Sequence, residues 1–414
     1  MTAGVLLALT GPEEAELVSL LDAPDTGLRV VRRCADVPEV LAAGLAGLGS
    51  LAVLSADLPD LDRPVLRQLA GAGVRTVLVA QAQDADRCRS LGATAVVAAD
   101  TGAQEWARAV GDLAGREPVA EPVEEEPPPP APEATAGRLV VVWGPRGSPG
   151  RTSVAVNLAA ELAAHEPTLL VDADTEAPSV TQVLGVLDET AGIAAAARLA
   201  GDGRLDAGTL RGMTRRLGER LQLLTGLTRA DRWRELPAAS LDVVWDRARE
   251  TAAWVVVDVG AGIDEPVGGL GAPRRHQASL SALAAADVVV VVGAAEPVGM
   301  HRLVTALQEL GDAQVCAPHA SRVVVVNRVR GSAAGANPEQ AVVESLARFA
   351  GVSDPLLVPD DRAALDRAVL QGATLAEVAP GSRARAAVQE LAGRLTGTPE
   401  RRRRGPRGLR RASR

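Results

Sequence analysis

Gly144-Pro145-Arg146-Gly147-Ser148-Pro149-Gly150-Arg151-Thr152-Ser153 lies between an apolar run, residues 139–143, and a segment in which Val154, Leu158 and Leu162 recur every four residues. That recurrence puts three apolar side chains on one helical face, so the order reads strand, loop, helix, the setting in which a chain cradles phosphate. Gly147 and Gly150 let the backbone approach an anion, successive amides form a nest for it, and the helix directs its positive end at it. The Thr152 hydroxyl stands where it can hold Mg2+. The strict pattern G-x-x-x-x-G-K-[ST] is not met, because Pro145 replaces its first glycine and Arg151 its lysine. Taken alone, the loop also fits a tight strand-to-helix turn.

Working outward, apolar runs at 168–171, 221–224, 253–257, 288–292 and 323–326 alternate with helical stretches. Near-continuous Val and Leu runs mark strands covered on both faces, which predicts a doubly wound parallel sheet. Two of the strands end in carboxylates: 168–171 runs into Asp172-Ala173-Asp174, and 253–257 into Asp258. The carboxyl edge of a parallel sheet is where ligands bind. One such Asp alone is more simply a helix or turn cap. Asp172, Asp174 and Asp258 together beside a glycine loop fit metal-assisted phosphate chemistry.

A smaller version of the same rhythm precedes this region, with strands expected at 5–9, 28–31, 51–54, 76–80 and 95–98 and a helix at 13–21, which predicts a flavodoxin-like α/β domain. Between the two, EPVAEPVEEEPPPPAPEATAG at 117–137 combines proline with six glutamates and no basic residue. Such a segment buries no core and reads as a linker. The expected organisation is a first domain at 1–114, an acidic Pro-rich linker at 115–137, a nucleotide-binding domain at 138–398 and a basic tail at 399–414.

The 414 residues contain no lysine, so all 44 basic residues are arginine, which lessens the meaning of arginine at any one motif position. Formal charge is −8 although residues 401–414 hold eight arginines and no acid; removing that tail's charge leaves −16 on residues 1–400. Cys34, Cys88 and Cys316 are too scattered for a disulfide framework or a zinc site and read as ordinary thiols. Apolar runs are far shorter than the roughly 20 residues of a spanning helix. The N-terminus opens without a basic region, so a cytoplasmic protein is expected.

The loop resembles that of the MinD/ParA superfamily of deviant P-loop ATPases, K-G-G-x-G-K-T-T. The resemblance implies that Arg146 stands at the signature lysine, reaching across a dimer to the partner's nucleotide, and Arg151 at the phosphate-loop lysine. It implies that Gly147, Ser148, Pro149, Gly150, Arg151, Thr152 and Ser153 cradle ATP, and that Asp174 positions attacking water. Thr152, Asp172 and Asp258 would order Mg2+, Asn327 would read adenine, and Pro359 and Asp360 would close over the base. GPRGSPGRTSVAVNLA, TGLTRADRW and PDDRAALDRAVLQGATLAEVAPGS further resemble actinobacterial CpaE-like proteins, which join a receiver-like domain to this ATPase and place pilus or septum machinery. An ATP-dependent homodimeric switch is therefore expected, with protein partners and with the 401–414 tail available to anionic membrane. The alternatives are a non-hydrolysing nucleotide-bound scaffold and, third, a DNA-partition protein.

Two departures from these patterns bear on activity. Arginine at 151 keeps the charge but is a broad planar fork rather than a compact ammonium, and Pro149 donates no amide, so slow or partner-stimulated hydrolysis is expected. The first domain resembles a response-regulator receiver, yet Ser55 stands four residues before Pro59, where the phosphorylated Asp belongs. Ala8-Leu9-Thr10 replaces the acid pair, and Asp57 is acidic but stands two residues late. The expected result is a pseudoreceiver used for docking. His165, His276, His301 and His319 share no ligand spacing and read as surface or loop residues, and Val388, Leu391 and Leu395 as the stripe by which a last helix packs on the sheet.

Overall fold

The computed structural model describes residues 2–115, 136–147, 149–187, 190–264 and 274–397. Ser148, most of the linker at 115–137 and the tail at 399–414 lie outside the described residues. Two sheets organise the chain. The first has strands β1 (Ala3–Ala8), β2 (Leu28–Arg33), β3 (Leu51–Ser55), β4 (Arg75–Ala80) and β5 (Ala95–Ala98) in the order β2-β1-β3-β4-β5, all parallel. This is the flavodoxin-like order, with helices on both faces. The helix Glu13–Leu21 forms over the residues the sequence indicated.

The second sheet contains β6 (Arg138–Trp143), β7 (Thr168–Ala173), β8 (Arg215–Arg216), β9 (Leu221–Leu224), β10 (Trp254–Val259), β11 (Val288–Ala294), β12 (Ser321–Val329) and β13 (Leu356–Pro359). Their order is β13-β12-β11-β6-β10-β7-β9-β8, parallel throughout except for β8, which pairs antiparallel with β9. The doubly wound parallel sheet expected from sequence is present, with one short antiparallel strand added at its edge. Arg215–Arg216 is a two-residue arginine strand with both residues exposed, so it carries no apolar pattern.

Alternation along the central strands explains their unbroken apolar character. Leu139, Val141 and Trp143 enter one core layer while Val140 and Val142 enter the opposite one, and Val288 to Val292 divide the same way. Each fully buried aliphatic side chain contributes on the order of 1.5–3 kcal/mol relative to exposure. Trp143, fully buried, also satisfies its Nε1–H on the Ala261 carbonyl at 3.1 Å. The terminal helix Arg383–Thr396 buries Val388, Leu391 and Leu395 in the layer containing Val140 and Val142. Among the described residues no helix is long and apolar enough to cross a membrane.

The two sheets' flanking helices meet through polar contacts. Arg67 pairs with Asp242 at 3.0 Å, and Arg87 Nε–H and Ser90 Oγ–H donate to the carbonyls of Asp202 and Gly203, both at 3.0 Å.

Candidate nucleotide-binding site

The loop after β6 reaches the helix Arg151–Ala163 through Gly150, whose φ of +99° is costly for any residue with a Cβ. A Cβ there would also stand 2.3 Å from Asn327 Nδ2, so that side chain would have to shift to admit one. Register then gathers the acids. Asp258 on β10 lies directly opposite Asp172 on the adjacent β7, with Asp174 just beyond the end of that strand. All three are at least 97% buried.

Each carboxylate has distinct partners. Asp258 Oδ2 accepts the Thr152 hydroxyl at 2.6 Å, while its Oδ1 is buried without a partner. Asp172 Oδ1 accepts the Asp174 amide at 3.2 Å, and its Oδ2 the Ser179 and Val180 amides, both at 3.1 Å, so both oxygens clamp the turn after β7. Asp174 Oδ1 accepts the amides of Glu176 and Ala177 at 2.8 and 2.9 Å, and its Oδ2 faces Arg151 Nη2 at 3.4 Å.

Burial governs the titration of Asp172 and Asp258. It pushes Asp172 up to about 7, with Asp174 adding to the rise and the Val180, Asp174 and Ser179 amides opposing it. Burial likewise holds Asp258 well above the ordinary carboxyl range, reinforced by Asp172 and Asp174 and opposed by the Thr152 hydrogen bond and by Arg151. An orphaned buried oxygen among carboxylates that resist ionisation, next to a threonine hydroxyl, is a donor set suited to a hard divalent cation. Among the described residues no three His, Cys, Asp or Glu side chains form a metal cage by themselves.

The arginines are arranged in a way the sequence did not reveal. Arg151 Nη1–H donates to the carbonyls of Gly144 and Pro145 at 3.0 and 3.2 Å, so the guanidinium folds back on its own loop. Arg146, two-thirds exposed, pairs with Glu176 at 3.2 Å. Asn327 Nδ2–H donates to the Pro149 carbonyl at 2.9 Å, tying β12 to the loop. Pro359 ends β13 beside Val329, and the Asp360 amide donates to the Val329 carbonyl at 3.0 Å while its carboxylate faces Arg330 at 3.5 Å. The glycine loop, Thr152, Asp172, Asp174, Asp258 and Asn327 therefore share one sheet edge, with Pro359 and Asp360 at the end of its outer strand.

Three residues that the sequence did not single out also lie here. Ser179 Oγ is 3.4 Å from Thr152 Oγ1, Glu176 bridges Arg146 and His276, and Arg302 covers Gly147. Ser179 and Glu176 sit within a few residues of Asp174, so that proximity was the available signal. His276, read as a surface or loop residue, lies in the turn before the helix Gln277–Ala285 and is buried there, between Glu176 at 3.5 Å and Asp264 at 3.3 Å. A cavity of about 370 Å3 lined by Ala164, Leu217, Arg220 and Glu377 contains none of the residues predicted from sequence for the site.

The fold and this edge define a P-loop-type nucleotide-binding protein. The profile described as "CobQ/CobB/MinD/ParA nucleotide binding domain" matches residues 140–374, and the chain belongs to that family. Among solved structures it is similar to a ParA family ATPase from Chlorobium tepidum TLS, at 18% identity and a TM-score of 0.52, covering 62% of this chain and 99% of that one. It is also similar to a McdA variant in complex with ATP from Cyanothece, at 16% identity and a TM-score of 0.50, covering 64% and 98%. At these identities the likeness is one of fold. No curated protein matches the chain.

Proposed function

We propose that the chain binds Mg-ATP at residues 146–153 and acts as a nucleotide-dependent homodimeric switch that recruits pilus-assembly or septum machinery in the cytoplasm. In this reading two domains, 1–114 and 138–398, are joined by the 115–137 linker, and the first is a CpaE-like pseudoreceiver that docks partners. The carrying observation is Asp258, whose Oδ2 accepts the Thr152 hydroxyl while its Oδ1 is buried without a partner. Thr152 and Asp258 would hold Mg2+, with Asp172 beside them; when bound, the ion offsets negative charge on the phosphates. Loop amides and the helix N-terminus supply phosphate recognition independent of residue 151. Asn327 would read the adenine, Pro359 and Asp360 would close over it, and Asp174 would orient water. The ATP in the Cyanothece complex supports the choice of nucleotide. Arg146, exposed and paired only with Glu176 among the described residues, suits a reach to a second protomer. The arginine tail at 401–414 would add peripheral contact with anionic membrane, at about 1 kcal/mol per residue near the surface.

Arg151 favours a second reading, a nucleotide-bound scaffold without turnover, because its guanidinium is held by Gly144, Pro145 and Asp174. DNA partition ranks third. Titration calorimetry of the full chain with Mg-ATP, alongside a phosphate-release assay, tests the proposal. Binding with slow release supports the switch, binding with no release under any partner or dimerising condition supports the scaffold, and no binding of ATP or ADP at millimolar concentration removes both.

A further inference from the structure

Partners distinguish the three arginines around the phosphate loop. Arg146 pairs with Glu176, and Arg151 is bonded to the Gly144 and Pro145 carbonyls and faces Asp174. The third, Arg302, comes from the helix Pro297–Ala313, which begins where β11 ends at the carboxyl edge. Helical side chains lean toward their own N-terminus, so Arg302 leans back over that edge. Leu303 and Ala306 are buried in the core, which fixes the rotation of the helix. The guanidinium covers Gly147: a Cβ built there would stand 2.2 Å from Nη1 and 3.3 Å from Cζ. Gly147 has a φ of +110°, so the missing side chain both permits the turn and leaves room for the arginine. Arg302 is exposed and, among the described residues, has no ion-pair or hydrogen-bond partner.

A guanidinium seated on a phosphate loop without a counter-charge has its five donors free for the anion that the loop is shaped to take. We propose that Arg302 is a phosphate-binding residue of this site, donating to the phosphates of the bound nucleotide and supplying charge that Arg151, engaged by loop carbonyls, does not. The inference rests on the nucleotide-binding reading above.

Calorimetric titration of the full chain with Mg-ATP at low and high salt, for wild type, Arg302→Gln and Arg302→Lys, tests it. Arg302→Gln should weaken binding about tenfold, as expected for a charge-assisted contact. It should also flatten the salt dependence, and Arg302→Lys should recover part of both losses. A merely structural role would not change the salt dependence, because the number of ionic contacts to the ligand would be the same. If wild type and Arg302→Gln bind equally with the same salt dependence, Arg302 is a surface cation and the proposal falls while the nucleotide site stands. If folded wild-type protein binds neither Mg-ATP nor Mg-ADP at millimolar concentration, the proposal and the reading beneath it fall together.

Discussion

The carboxyl edges of the two parallel sheets have similar backbones and opposite chemistry. In the larger sheet, adjacent strands bring Asp172 and Asp258 side by side with Asp174, and a glycine loop leads into a helix next to them. At the same edge of the smaller sheet, β1 and β3 deliver Thr10 and Ser55, whose hydroxyls lie 3.2 Å apart, with the Thr10 amide donating to Ser55 Oγ at 2.9 Å. The first edge gathers buried carboxyl groups, one of whose oxygens, Asp258 Oδ1, has no partner. The second is closed by its own hydrogen bonds. The architecture offers a site at both edges, and a few residues at the strand ends decide whether either is used.

The strongest way to break this contrast is to close the larger edge. Gly150→Ala places a methyl group 2.3 Å from Asn327 Nδ2 on a backbone at φ +99°, and should weaken Mg-ATP binding at least about a hundredfold, roughly 2.7 kcal/mol. Calorimetry on protein with wild-type circular dichroism checks it, and unchanged affinity would mean that the loop does not contact the nucleotide.

Next in size is Asp258→Asn. The folded protein raises this carboxyl above its unfolded value, so its penalty is absent below about pH 4, grows as pH climbs from there toward the folded value, and levels off above it. The amide should therefore stabilise the nucleotide-free protein at pH 8 by about 1–3 kcal/mol, and the gain should vanish near pH 4. Magnesium-dependent binding should weaken in the same variant. The corresponding penalty from Asp172 builds from about pH 4, where the unfolded carboxyl ionises, and is complete by about pH 7. Denaturant melts across pH 4–8 measure this, and a variant less stable than wild type at pH 8 would contradict the burial argument.

The sequence revealed where most strands lie and that Asp172, Asp174 and Asp258 stand at strand ends, because both follow from periodicity. It did not reveal β8, where Arg215–Arg216 has no apolar pattern, or β13, because Leu356–Pro359 was read as part of the base-closing loop. Within the site, the positions of Thr152, Asp172, Asp174 and Asp258 follow from their places at strand and helix ends. What those side chains touch depends on rotamers and on distant elements. The turn of Arg151 toward Gly144, the Asn327 contact with Pro149, and Arg302 over Gly147 join segments far apart in the chain. Asp57 shows the limit of reading a site by counting residues. The strand ends at Ser55, Asp57 falls in the following turn, and its carboxylate reaches the same Thr10 hydroxyl, at 3.1 Å.

A smaller effect is expected at the closed edge. Ser55→Ala removes an acceptor shared by the Thr10 amide and hydroxyl at a buried position, and should cost about 1 kcal/mol with Mg-ATP affinity unchanged. A lower denaturant midpoint at constant m value would be the signature. Any loss of nucleotide affinity would show that the two edges are coupled.

The smallest expected effect is none. Incubation with acetyl phosphate should leave the N-terminal sheet unmodified, although Asp57 is exposed and meets the same Thr10 as Ser55. Phosphoryl transfer to a carboxylate requires charge compensation, and the sequence lacks both lysine and the acid pair that would order a magnesium ion after β1. The Thr10 hydroxyl can donate one hydrogen bond to Asp57 but cannot neutralise a phosphoryl dianion. Arg87, whose Nη1–H donates to the Ala56 carbonyl at 3.3 Å, is the nearby cation, but its Nε–H is committed to Asp202. Intact-mass measurement before and after incubation reads the result. A stable phosphoryl adduct lost in Asp57→Asn would mean that this edge is a working receiver and that the contrast between the sheets is one of degree.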